Sequence, residues 1–349
     1  MFNAKNMKKQ FQKSVMKRVL LPRIQKIISA ENDLANNPTY ITSVEESPER
    51  FEIPEEAMKR SYFKGFPLNR KVMPQLLGSM RGLNHAVDDL KHNPEEPETI
   101  ADEYFFETLE EYATSLGAAS IGYTKVPEKF IFKDKAVIYT NAIVLTYEMD
   151  KDIINLAPSM ATFAMIHETY NKLGQVTNKI AQFLREYGYA AQASHPLGGI
   201  VLYPPLAESA GLGYRGLNGL LITTEHGPRV RLSAVFTSIE NLPFKQKEDL
   251  SWIYDFCLVC RKCERSCPGK ALLDEPKVSD GELLTFIDRE KCFPFFLNDL
   301  GCTVCIKECP FSNKGYNHIK ARYQRKSYKT IEEFLKTESK CSKIILAKE

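Results

Sequence analysis

Residues 257 to 268 read Cys257-Leu-Val-Cys260-Arg-Lys-Cys263-Glu-Arg-Ser-Cys267-Pro268, and residues 302 to 310 repeat that ending as Cys302-Thr-Val-Cys305-Ile-Lys-Glu-Cys309-Pro310. Cys292 lies upstream of the second run, and Cys341 stands alone further on. The chain has 349 residues and nine cysteines, none before position 257. Disulfide frameworks scatter their bridges through small secreted chains, so cysteines confined to one stretch of a large chain point to metal.

The first run is a complete C-x2-C-x2-C-x3-C-P pattern, in which the fourth cysteine serves the other of two iron–sulfur clusters. Cys292 supplies the ligand that the second run lacks. Ferredoxin-type pairing then assigns Cys257, Cys260, Cys263 and Cys309 to one [4Fe–4S] cluster, and Cys292, Cys302, Cys305 and Cys267 to the second. Cys341 is a bystander. Zinc also favours C-x2-C pairs, but it leaves both x3-C-P endings unexplained. Two such clusters imply one-electron chemistry in a reducing, oxygen-poor (anaerobic) compartment.

Working outward from the cysteines, the composition is that of a soluble globular chain, 43% hydrophobic and 26% charged. No apolar run is long enough to span a bilayer. With 47 basic against 44 acidic side chains, the charge gives no general case for nucleic-acid binding. Residues 1–25 hold seven cations and no acid, with Ala4, Met7, Phe11, Val15 and Val19 at helical spacing. Such a helix either packs on the body with one solvated basic face or lies peripherally on an anionic membrane. No twin-arginine pair or signal-type apolar segment is present, so the expected location is cytoplasmic.

Four regions are expected. Residues 1–99 form an N-terminal wrapping segment, irregular from Asn32 to Thr99 because of its Pro-rich and acidic stretches. Residues 100–245 form the core, 246–320 the cysteine domain and 321–349 a tail, the polar text starting at Asn313. In the core, the periodicities predict a helix over Ala101 to Leu116, strands at Ser120 to Tyr123 and Asn141 to Tyr147, and a long helix with Ile166, Tyr170, Leu173, Ile180 and Leu184 on one stripe. Further strands are expected at Gly199 to Tyr203, Gly219 to Thr223 and Val230 to Thr237. Interleaved helices and strands make the fold class α+β.

Gly211-Leu-Gly213-Tyr-Arg-Gly216 matches the dinucleotide fingerprint G-x-G-x-x-G in the wrong context. That fingerprint follows a strand and opens a helix, whereas here a helical turn precedes and a strand follows. The glycines still signal a close backbone approach, to a flat cofactor among other candidates.

The segment from Ala207 to Arg231, with AGLG, an arginine, GLLIT, an acid and GPR, and the strand ending Phe236-Thr237, strongly resembles the corrinoid-dependent reductive dehalogenases. The resemblance takes in Glu148-Met149-Asp150, Ala157-Pro158-Ser159, Tyr170, Gly188-Tyr189, Lys291-Cys292-Phe293-Pro294 and Cys309-Pro310-Phe311-Ser312, and so covers about residues 120 to 315. A more distant resemblance is to epoxyqueuosine reductase, a tRNA-modifying enzyme.

The resemblance implies a nitroreductase-like α/β core holding base-off cobalamin, with an appended ferredoxin-like domain of two [4Fe–4S] clusters. It implies reductive dehalogenation of an organohalide-like small molecule, with a ferredoxin or flavodoxin as electron donor. By motif position Tyr170 corresponds to the proton donor, although spacing alone places it on a core-like stripe. Arg229 or Arg231 is the cation that would stabilise its phenolate, and Arg215 is a weaker candidate. Arginines two apart on a strand share a face. Around the cofactor the resemblance places Tyr189, Ser194, His195, Gly198, Gly211, Gly213 and Gly216, with Ser194 to Gly199 wrapping the corrin by backbone contacts. His195 could ligate cobalt from below, but base-off binding in the family uses no histidine, and a lone loop histidine is commonly polar surface. Two other readings remain open: epoxyqueuosine-type tRNA modification, and an electron-transfer protein that activates another protein's corrinoid.

Overall fold

The computed structural model describes residues 21–43, 70–244, 248–278 and 283–325. The N-terminal residues of the expected basic helix and Cys341 lie outside them. The described elements begin with α1 (Leu21–Ala35), β1 (Ile41–Thr42), α2 (Val72–Asp88) and α3 (Glu103–Ser115). Next come β2 (Ser120–Lys125), β3 (Ala136–Val137), β4 (Asn141–Glu148), α4 (Lys151–Ile154) and the long α5 (Met160–Glu186). Then follow β5 (Ala191–Ser194), α6 (Tyr203–Ser209), β6 (Tyr214–Arg215), β7 (Leu221–Ile222) and β8 (Val230–Thr237). The cysteine region holds α7 (Trp252–Cys260), α8 (Lys262–Ser266), β9 (Leu272–Val278), β10 (Leu284–Ile287), α9 (Arg289–Asn298), α10 (Val304–Lys307), α11 (Pro310–Lys314) and α12 (Tyr316–Arg325).

The main sheet has the order β2-β4-β8-β5, and every pairing in it is antiparallel. β4 and β8 are its centre, paired from Asn141↔Thr237 to Glu148↔Val230. Residues 142–145 of β4 are fully buried, as expected of a strand covered on both faces. On one face lie α3 and α5, whose Leu109, Leu173, Ile180 and Leu184 pack with Ile143, Leu145 and Val235. On the other, Val144, Ala234 and Phe236 pack with Leu206 and Ala207 of α6.

Local signals explain the helix starts. Asp102 caps α3 by accepting from the Phe105 amide, and Ser159 caps α5 by accepting from the Thr162 amide. Within the core, the Thr177 hydroxyl of α5 donates to the Leu173 carbonyl and is hydrogen-bonded to the Ser233 hydroxyl of β8, which fixes the helix on the sheet.

Several expectations are corrected. Asn32 to Thr99 is not irregular throughout: α1 and α2 are helical, and α2 buries Val72, Met80, Leu83 and Ala86. Leu76, Met80, Leu83 and Val87 do stand at helical spacing, but acidic and Pro-rich stretches flank α2 on both sides. Gly199 to Tyr203 is no strand but a single bridge at Val201, after which α6 begins at Tyr203. β5 was not anticipated, because Ala191-Gln-Ala-Ser194 has little β-branched character. The stretch after Asn313 is helical as α12. No helix among the described residues is long and apolar enough to cross a membrane.

Candidate active site and thiol groups

Tyr170 lies midway along α5, half-buried, facing Arg231 of β8. Arg231 stacks its guanidinium 4.2 Å above the Tyr170 ring and donates from Nη1 to the phenolic oxygen at 3.2 Å. Its Nε reaches Thr169 Oγ1 at 3.4 Å, while Nη2 is buried with no hydrogen-bond partner. The guanidinium thus holds the phenol by a cation–π stack and a hydrogen bond together, and one of its buried N–H groups is left without an acceptor.

His167, one turn earlier on α5, shares this neighbourhood. Burial first and Arg231 second lower its pKa to about 4, so it is a neutral imidazole at physiological pH. Neither His167 nor Thr169 was singled out by sequence. The signal available was helical spacing, since residues three apart on a helix face the same way.

The two arginines divide their work. Arg229, 6% exposed, donates to Glu148 at 2.8 Å and to the Met149 carbonyl at 2.9 Å, tying the start of β8 to the end of β4. His226 also reaches Glu148. The shared strand face expected for Arg229 and Arg231 therefore fails, because β8 begins only at Val230. Arg215 is held by Glu208 and covers the Phe286 ring.

The residues expected around the corrin make contacts with one another and with the core. Tyr189 is a core residue, its ring 4.9 Å from that of Phe105 and its hydroxyl donated to the Ile100 carbonyl. Ser194 is bonded to Tyr203, whose hydroxyl also donates to the carbonyls of Ser194 and His195. His195 is buried rather than at the surface, wedged where α2 and α5 meet at glycines. A Cβ on Gly174 would fall 1.8 Å from its Nε2, and one on Gly82 would fall at 2.9 Å. Burial lowers its pKa to about 4, and Nε2 has no hydrogen-bond partner. Gly198, at φ +78°, packs beside Leu83. Ser194, His195, Gly198 and Glu31 border a cavity of about 30 Å³.

The glycine-rich segment is the β6–β7 hairpin, which carries no dinucleotide-type strand-to-helix turn. Gly211, at φ +75°, turns the chain after α6. Gly213 and Gly216 are needed for close packing: a Cβ on Gly213 would sit 2.3 Å from the Ile222 carbonyl, and one on Gly216 would sit 3.3 Å from Cys257 Sγ. The hairpin therefore lies directly on the first cysteine run.

All eight described cysteines are unbridged. Cys257, Cys260, Cys263 and Cys309 line one cavity of about 10 Å³, closed by Leu217 and Ile222 of the hairpin segment. Burial and then the Cys309 neighbour raise the Cys257 thiol. Burial likewise raises Cys292 to about 11, with Cys267 and Cys302 as its charged neighbours. Cys305 is raised by burial and by Cys263, Cys292, Cys302 and Cys267. Among the described residues no three His, Cys, Asp or Glu side chains gather around one point as a single ion requires. The donor chemistry suits a [4Fe–4S] cube, which takes one thiolate at each of its four irons.

No protein-family model matches the chain. A tetrachloroethene reductive dehalogenase of Desulfitobacterium hafniense is 35% identical over 205 residues, 55% of this chain and 36% of the relative. An epoxyqueuosine reductase of Listeria monocytogenes is 36% identical over 119 residues, 32% of this chain and 30% of the relative. The chain thus spans about a third of the length of these curated relatives. Among solved structures, a catabolic reductive dehalogenase in complex with 3-bromo-4-hydroxybenzoic acid superposes with a TM-score of 0.65 at 19% identity, covering 82% of this chain and 45% of that one. That likeness is one of fold. Over the matched residues, the chain is similar in sequence to reductive dehalogenases and, over a shorter stretch, to epoxyqueuosine reductases.

Proposed function

We propose that the chain is a cobalamin- and iron–sulfur-dependent oxidoreductase that removes halide from a halogenated organic compound. The observation that carries this reading is the Arg231 guanidinium stacked on, and bonded to, the Tyr170 phenol. An electron carrier has no use for a polarised proton donor. The reaction balances as R–X plus two electrons and one proton giving R–H and X⁻. Two clusters, each passing one electron, supply the electrons, and Tyr170 Oη supplies the proton. Arg231 stabilises the phenolate left behind, and its spare Nη2–H meets the departing anion or a substrate oxygen.

The two groups of four thiols in residues 246–320 fit a ferredoxin-like pair of [4Fe–4S] clusters, Cys257, Cys260, Cys263 and Cys309 holding one and Cys267, Cys292, Cys302 and Cys305 the other. The corrinoid is carried by the resemblance alone. The segment expected to wrap it is Ser194 to Gly199, and no step is derived through it.

The test is anaerobic reconstitution with iron, sulfide and cobalamin, followed by an assay on a halogenated phenol. Eight irons per chain, retained cobalamin and halide release are expected. Eight irons without cobalamin or halide release would leave an electron-transfer protein and defeat the dehalogenase reading. The epoxyqueuosine relatives supply the second substrate to try, a modified tRNA stem-loop.

A further inference from the structure

The first cysteine run carries an unusual concentration of positive charge. Between Cys257 and Lys270 stand four cations, Arg261, Lys262, Arg265 and Lys270, against one acid, Glu264. Two of the four are neutralised: Arg261 pairs with Glu264 at 3.4 Å and Lys262 with Glu308 at 2.9 Å. Arg265 and Lys270 bond instead to main-chain oxygens of the run itself. Arg265 Nη2 donates to the Cys260 carbonyl at 2.9 Å, and Lys270 Nζ donates to the Arg265 carbonyl at 3.2 Å. Both side chains are exposed, and neither has an ion-pair partner among the described residues. Val259, which lies between Cys257 and Cys260 in the run, is 52% exposed.

A run of charge is ordinarily a solvated face whose long side chains sample many positions. Here the two cations are tethered to the backbone that carries Cys260, Cys263 and Cys267, in a run that also exposes Val259. Fixed like charges with an exposed apolar residue in the same run suit a partner of opposite charge that must come close but not stay. We infer that this face, centred on Val259, Arg265 and Lys270, docks a small acidic one-electron carrier protein and is where electrons come into the chain. The inference rests on the iron–sulfur reading of the cysteines. In the step itself the carrier's centre loses one electron and the chain's cluster gains it; no bond forms or breaks.

The experiment uses the full chain loaded with iron and sulfide, with two reductants in parallel: a reduced acidic ferredoxin, and a zwitterionic viologen radical that carries no net charge. The double variant Arg265→Glu/Lys270→Glu is expected to slow electron uptake from ferredoxin by about tenfold or more at low salt. The difference should shrink at about 0.3 M salt, where exposed charges are screened. Uptake from the viologen and the iron content should not change. An unchanged ferredoxin rate would overturn the docking face while leaving the clusters standing, as would equal slowing with both reductants. A chain that takes up no iron would remove the cluster reading and the docking face together. A tRNA stem-loop that binds the parent and not the variant, at an unchanged ferredoxin rate, would reassign the face to nucleic acid.

Discussion

In the sheet region, residues 142–145 of β4 are fully buried and the pairing of β4 with β8 runs unbroken over eight residues. In the cysteine region the helices α8, α10 and α11 are only four or five residues long. All five described non-glycine residues with positive φ lie there: Arg261, Lys270, Leu300, Cys302 and Thr303. Each costs on the order of 1 kcal/mol or more, and such geometry persists only where its surroundings over-determine it. Helices that short do not hold themselves either. The contrast teaches that burial shapes one region, whereas in the other the proposed clusters would have to supply what burial does not.

The strongest way to break that contrast is to remove the metal. Chelation of the iron-loaded chain should abolish amide-exchange protection across residues 248–325 while leaving it across β2, β4 and β8. Protection that survives in the cysteine region of the metal-free chain would show that apolar packing, such as that of Ile253, Phe311 and Ile319, suffices there. Next in size is Tyr170→Phe, which should lower turnover by about 10²- to 10⁴-fold with iron content unchanged, because a phenyl ring keeps the Arg231 stack but has no proton to give. Turnover near that of the parent would return Tyr170 to the role of a packing residue. The converse probe of the sheet region is Leu145→Ala. Deleting a wholly buried leucine should cost about 2–5 kcal/mol in urea unfolding, again without loss of iron.

The same contrast explains what could be read from sequence. Burial leaves a periodic trace, so α3, α5, β2, β4 and β8 were legible to within a few residues. Ligation leaves a spacing, from which Cys309 was expected beside Cys257, Cys260 and Cys263, and those four border one cavity. What was not legible depends on neither. α2 meets α5 through glycines: a Cβ on Gly78 would lie 2.5 Å from Asn171, and one on Gly82 2.9 Å from His195, and no apolar stripe announces such a contact. Arg229 and Arg231 look equivalent in the text Gly-Pro-Arg-Val-Arg. Only the starting point of β8 sends one to Glu148 and the other to Tyr170. Tyr203, at the head of α6, was lost because a strand was expected where its helix begins.

The smallest expected effect concerns the two buried histidines of the sheet region. His167, beside Phe163 and Arg231, and His195, between Gly82 and Gly174, both have pKa values lowered to about 4, chiefly by burial. In the unfolded chain a histidine titrates at about 6.5, so as pH falls below that value the unfolded state gains protons first. The folded state is then penalised until pH approaches about 4, where both states are charged. Stability of the sheet region should therefore be highest above about pH 6.5 and fall by about 1 kcal/mol per histidine between pH 7 and pH 5.5. Urea unfolding read by amide protection of β4 and β8 would show it. His195→Gln, which cannot take up a proton, should remove about half of that slope even if it lowers stability at every pH. A slope that His195→Gln leaves intact would place the titrating groups elsewhere, and the notch between Gly82 and Gly174 would then have room for a charged imidazole after all.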